Sequence, residues 1–155
     1  MTFAEIEGLP KYSAIEPDQI QQTISALIEE NRREIQIILD NVGATPTWEN
    51  LIQPLEELDD RLTKAWVPVS HMNAVVSTPE LRGAHDACIA ELSQYSTELG
   101  QSQPLYQAYR KIADGDAFAA LGPAQQKVIT DAVLGFELSG VGLPDEEKKR
   151  FAEIS

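Results

Sequence analysis

Cysteine is nearly missing from this chain: Cys88 stands alone among 155 residues. One thiol cannot close an intrachain disulfide, so packing must hold the fold, and the usage fits a reducing compartment. Histidine is almost as scarce, with only His71 and His85. Basic residues are outnumbered, 12 Lys and Arg against 25 Asp and Glu, for a formal net charge of −13. A field of that sign repels phosphate backbones and anionic headgroups, so neither nucleic acid nor a membrane surface is expected as a partner. No window approaches the ~20 apolar residues of a membrane helix. The opening MTFAEIEGLPKYS carries Glu5 and Glu7 and no basic segment before an apolar run, which is not a signal-peptide pattern. A cytoplasmic setting is expected. Aromatics are only 6% of residues, but the hydrophobic fraction of 43% suffices for a Leu, Ile, Val and Ala core in one domain.

What is present is helical periodicity, and the stretch from Thr47 to Arg82 anchors it. Thr47 is placed to cap a helix whose Leu51, Leu55, Leu58, Leu62 and Trp66 recur at spacings of 3 and 4. Pro54 lacks the N–H owed to Asn50, which predicts a kink; Pro68 predicts the end of the helix near Trp66, with a bend around Ser70 and His71. Ser77 and Glu80 have capping-box spacing for the next helix, with Pro79 in its opening turn. Trp48 and Trp66 are expected to pack at the two ends of the central helix.

Before that stretch, residues 1–16 read as an extended arm anchored by Leu9, Pro10 and Ile15. Pro17 and Asp18 open a long helix with Ile20, Ile24, Leu27, Ile28, Ile35, Ile38, Leu39 and Val42 on one face, closed by Gly43. After it, a helix carrying Leu81, Ala84, Cys88, Leu92, Tyr95 and Leu99 runs to Gly100. A shorter one covers Gln103 to Ala113, Asp114-Gly115-Asp116 is a turn, and Gly122-Pro123 opens a helix that stops near Ser139-Gly140. A charged helix follows Pro144, where Phe151 and Ile154 open an apolar stripe that Ser155 cuts short; the chain is therefore expected to be part of a longer polypeptide. No run has the alternation of a strand. The expected fold is all-α, an antiparallel bundle of about six or seven helices over residues 17–155 with the arm before it.

Chemistry is harder to find. His85 and Cys88 are three apart and could give two metal ligands, but a structural zinc site needs four and no second cysteine exists. His85 beside Asp86 reads as a partly exposed surface pair, Cys88 as a small core residue, and His71 as structural. A metal-binding reading through His71, His85 and Cys88 therefore ranks last. The carboxylate pairs Glu56-Glu57, Asp59-Asp60 and Asp145-Glu146-Glu147 read as solvated faces or a helix start. Tyr106 and Tyr109, beside Arg110, read as the inner face of the short helix. Neither a His-Glu-x-x-His zincin motif, a Gly-x-Ser-x-Gly elbow nor a phosphate loop occurs. Catalytic, cofactor-binding and metal residues are accordingly all expected to be none within this chain.

Several collinear blocks nevertheless resemble one family. The segments LPKYSAIEPDQI, TWENLIQPLEELDD, PVSHMNAV, TPELR, LSQYSTELGQ, LYQAYR and FELSGVGLP are similar to the N-terminal region of the thimet-oligopeptidase family of zinc metallopeptidases. The resemblance implies a helical scaffold that helps wall a deep channel in a much larger cytoplasmic enzyme hydrolysing short peptides. It implies a catalytic zinc held far downstream by a His-Glu-x-x-His motif and a further Glu, none of which maps onto this chain. The partner it implies is the C-terminal catalytic region of the same polypeptide, without which this piece should be inactive. The alternative is a free-standing acidic helical interaction module.

Overall fold

A computed structural model of the chain describes residues 8–154, and its backbone is almost entirely helical. Six α-helices follow one another: α1 (Pro17–Val42), α2 (Gln53–Val75), α3 (Pro79–Gly100), α4 (Gln103–Ala113), α5 (Pro123–Leu138) and α6 (Asp145–Ile154). Short 3-10 turns cover Tyr12–Ala14 and Asp116–Ala120, and a π turn covers Trp48–Ile52. There is no strand among the described residues. The fold is all-α, as the periodicity predicts.

Proline explains much of the punctuation. Pro17, Pro79, Pro104 and Pro123 occupy the first or second position of a helix, where the missing N–H has no intrahelical partner to lose. Gly43 and Gly140 take left-handed backbone just beyond α1 and α5, at φ 58° and 78°. Before α2, Thr47 accepts from the Asn50 N–H at 3.2 Å while Asn50 Oδ1 accepts from the Thr47 N–H at 2.7 Å, a reciprocal cap.

Three local expectations are corrected. Pro68 does not end α2; the helix passes through it to Val75, and the bend expected at His71 is helix. The reason is burial: Leu62, Ala65, Pro68 and Val69 line one buried face. Burying side chains of that size is worth about 1.5–3 kcal/mol each, which outweighs the ~3 kcal/mol of an interior proline. The irregularity placed at Pro54 is taken up immediately before it, where the Gln53 N–H reaches the Trp48 carbonyl in the π register. Ser77 does not cap α3; Thr78 does, its hydroxyl accepting from the Leu81 N–H at 3.3 Å. Ser77 instead closes α2 at φ 49°, the left-handed place glycine usually fills.

The chain forms two compact units. The first comprises residues 8–34 with 56–92. Its deepest side chains include Ile20, Ile24 and Ile28 of α1, Ala65 and Val69 of α2, and Leu81 and Cys88 of α3. The expected arm meets this unit unevenly: Leu9 is 88% exposed, residues 12–14 form a turn, and Ile15 is buried. Residues 1–7 of that arm, and the Ile154 side chain of the expected stripe, lie outside the described set. The second unit comprises residues 35–55 with 93–154. Its core gathers Val42, Leu51, Ile52, Tyr109, Ile112, Ile129 and Val133.

Candidate functional site

The second unit carries a cleft of about 690 Å³ between the α1–α2 connection and the segment after α4. One wall is set by the Thr47–Asn50 cap, which presents Trp48, and Asn50 Nδ2 ties back to the Thr45 carbonyl at 3.1 Å. The other wall is the 3-10 turn after Gly115. A Cβ at Gly115 would lie 2.9 Å from the Lys111 carbonyl, so only glycine lets the chain turn this closely off α4. Gln126 of α5 clamps that turn by donating to the carbonyls of Phe118 at 3.1 Å and Leu121 at 3.0 Å. The interior is apolar, from Pro46, Trp48, Ile112 and Leu121, while Glu49, Lys111 and Asp116 stand around it. No serine, cysteine or histidine lines it. Its lining suits a hollow for an apolar side chain.

The residues singled out from the sequence are dispersed. His71 is exposed on α2 with the Tyr12 ring 5.7 Å away. His85 is partly exposed and pairs with Asp86 as expected, its Nδ1 3.3 Å from Asp86 Oδ1, and its ring also stacks on Trp66 at 4.9 Å. Trp66 thus packs on a histidine in mid-helix and not at a helix end. Cys88 is fully buried, and burial followed by the nearby Glu91 charge pushes its thiol up to about 11. Cys88 and His85 would give two donors, short of the four that a structural zinc site takes. Among the described residues no three His, Cys, Asp or Glu side chains converge as metal donors. Glu56 is pushed up from the usual carboxylate range by partial burial and then by Asp59, but Glu56, Glu57, Asp59 and Asp60 are all exposed. Tyr109 is buried and Tyr106 half-buried; both meet Phe136 edge-on, at 5.4 and 6.0 Å. The Tyr106 hydroxyl donates to Glu137 at 3.1 Å, which raises its pKa, and Arg110 pairs with Asp114 at 3.0 Å. These groups build a helix interface.

Comparison with known proteins supplies what the geometry does not. Residues 24–148 match the neurolysin/thimet oligopeptidase N-terminal domain. The chain belongs to that family. Relatives of this oligopeptidase-family domain include oligopeptidase A of Escherichia coli, 44% identical over 95% of this chain and 22% of the relative. Oligopeptidase A of Haemophilus influenzae is 44% identical over 96% of the chain and 22% of the relative. The organellar oligopeptidase A of Arabidopsis thaliana is 32% identical over 94% of the chain and 18% of the relative. The chain therefore spans about a fifth of the length of these curated relatives.

One polar centre of this oligopeptidase-family domain escapes the sequence reading. Asn31 falls between Ile28 and Ile35 on the apolar stripe of α1 and is only 1% exposed. Its Nδ2 donates to the Leu58 carbonyl at 3.3 Å, and Arg61 Nη2 donates to its Oδ1 at 2.9 Å. Arg61 Nη1 also reaches Glu30 at 3.1 Å. A polar residue interrupting a stripe of isoleucines is the signal that could have found it. Glu91 of α3 similarly accepts from Gln21 and Ser25 of α1.

Proposed function

We propose that this chain is the helical N-terminal scaffold of a zinc-dependent cytoplasmic oligopeptidase that hydrolyses short peptides. Its role is to help wall the substrate channel, residues 17–155 acting as the domain and residues 1–16 as its arm. The observation that carries this reading is the match over residues 24–148, joined to 44% identity with a protein named oligopeptidase A. On the family resemblance, zinc and its water-activating glutamate would be supplied by polypeptide beyond these residues. This chain contributes no catalytic, cofactor-binding or metal residue in that reading. Its own part is to present a packed helical surface.

The test is an assay of short fluorogenic peptides with two proteins, the product of the full coding frame and the 155 residues alone. Cleavage by the full product that is lost with a chelator and restored by zinc is expected, with none from the short chain. Chelator-insensitive or absent cleavage by the full product sinks the proposal. So does activity of the short chain that disappears when its own side chains are replaced, and a frame closing directly after Ser155 leaves the interaction module.

A further inference from the structure

The solvent side of α5 changes character along its length. Lys127 pairs with Asp131, and Thr130 turns its hydroxyl back onto the Gln126 and Lys127 carbonyls at 2.9 and 3.0 Å. One turn further on stand Leu134 and Leu138, which are 52% and 72% exposed and lie four residues apart on one face. Gly135 sits beside them, also exposed. The exposed sides of α1 and α2 carry Glu29, Arg33, Glu34, Glu56, Glu57 and Asp60, with Ile37, Val67 and Val75 exposed among them; none of these has a glycine next to it.

Gly135 is the informative residue. A glycine inside a helix is a poor helix former relative to alanine, so it needs a reason. The usual reason, a neighbour too close for a Cβ, does not exist within this chain, because a Cβ built there meets nothing within 4 Å. Left-handed backbone is not the reason either, since Gly135 is not among the positive-φ glycines. An exposed glycine flanked by exposed leucines suits the close approach of another backbone, with the leucines interdigitating on either side.

We propose that the Leu134–Gly135–Leu138 face of α5 docks a helix of the same polypeptide from the part that the longer relatives carry beyond this domain. The inference rests on the reading of the chain as part of a longer oligopeptidase. The occupant is argued from length, because the chain accounts for only 22% of its bacterial relatives. Glu137, exposed and held by Tyr106 with Arg110 3.9 Å away, borders this face, so the docked helix sets an apolar side with a small or flat contact surface over Leu134 and Leu138 and a polar group at that edge.

The test uses the full-length protein. Leu138→Cys is labelled with a water-soluble maleimide in native buffer and in urea, with Glu34→Cys on the charged side of α1 as the exposed reference. Native labelling of Leu138→Cys at least about tenfold slower than in urea, corrected by the reference and independent of protein concentration, is expected. Labelling equal within about twofold overturns the docking surface, and protection lost on dilution assigns the face to a second copy and overturns it too. Gly135→Ala gives an independent sign. On a free helix face it raises the melting temperature through helix propensity; under a docked helix it lowers it. Chelator-sensitive peptide cleavage by the same preparation reads the oligopeptidase proposal separately. Cleavage without protection sinks only the docking surface, and protection without cleavage sinks only the enzyme.

Discussion

Arg61 and Asn31 meet at 2.9 Å, a guanidinium of α2 donating to a side-chain amide enclosed in the isoleucine face of α1. Removing one partner of such a bond leaves the other facing the loss of its solvation, a cost of about 1–3 kcal/mol. Asn31→Ala should therefore destabilise the protein by roughly 2 kcal/mol in urea unfolding. Arg61 also holds Glu30, and Asn31 also holds the Leu58 carbonyl, so Arg61→Met should be milder. The double variant should fall short of the sum, because the two changes share one bond.

Pro68 tests the balance between local propensity and burial. Its ring is buried inside α2, where alanine would restore a backbone donor. The helix interior favours alanine over proline by about 3 kcal/mol, while the lost ring methylenes forfeit roughly 1.6 kcal/mol of burial. Pro68→Ala should thus be neutral or stabilising by about 1 kcal/mol in thermal unfolding. A loss of 2 kcal/mol or more would show that the ring packs more tightly than its burial alone implies.

Ser77 holds left-handed backbone, and Arg82 Nη1 donates to its carbonyl at 3.0 Å and its hydroxyl at 3.1 Å. A non-glycine residue there carries about 1 kcal/mol of strain. Ser77→Gly removes the strain and keeps the carbonyl contact, so it should raise stability by up to about 1 kcal/mol. Ser77→Val, whose branched Cβ fits that region poorly, should lower it.

Cys88 gives a pH dependence of definite sign. Its folded pKa of about 11 lies above the ordinary value of 9.0, so above pH 9 the unfolded thiol ionises while the folded one keeps its proton. The unfolded state then binds fewer protons, and stability falls as pH rises from about 9 to about 11. Unfolding titrations across that window should show the fall in the native sequence and a shallower one in Cys88→Ala. At pH 8 the native thiol should resist water-soluble disulfide reagents until the protein unfolds.

Elements that rest on local signals are legible in the sequence. The bounds of α4 follow from the Ser102-Gln103-Pro104 start and the Asp114-Gly115 turn, and Gly43 and Gly140 close their helices because L side chains rarely adopt left-handed backbone. The family is legible too, through collinear blocks that no single motif carries. The cleft is not: its walls come from residues 44–49 and 111–121, distant in sequence and brought together by the second unit's core.

Composition and periodicity by themselves determined an acidic, all-helical chain with one thiol, because helix faces and caps are written within a few residues of one another. Only the tertiary structure decided that α2 continues through Pro68, that Thr78 and not Ser77 caps α3, and that Asn31 lies inside. For Pro68 and Asn31 a local preference worth a few kcal/mol meets burial or hydrogen bonding from a helix distant in the chain, and the sum over the packed face prevails; at Ser77 and Thr78 the left-handed end of α2 decides which hydroxyl can cap.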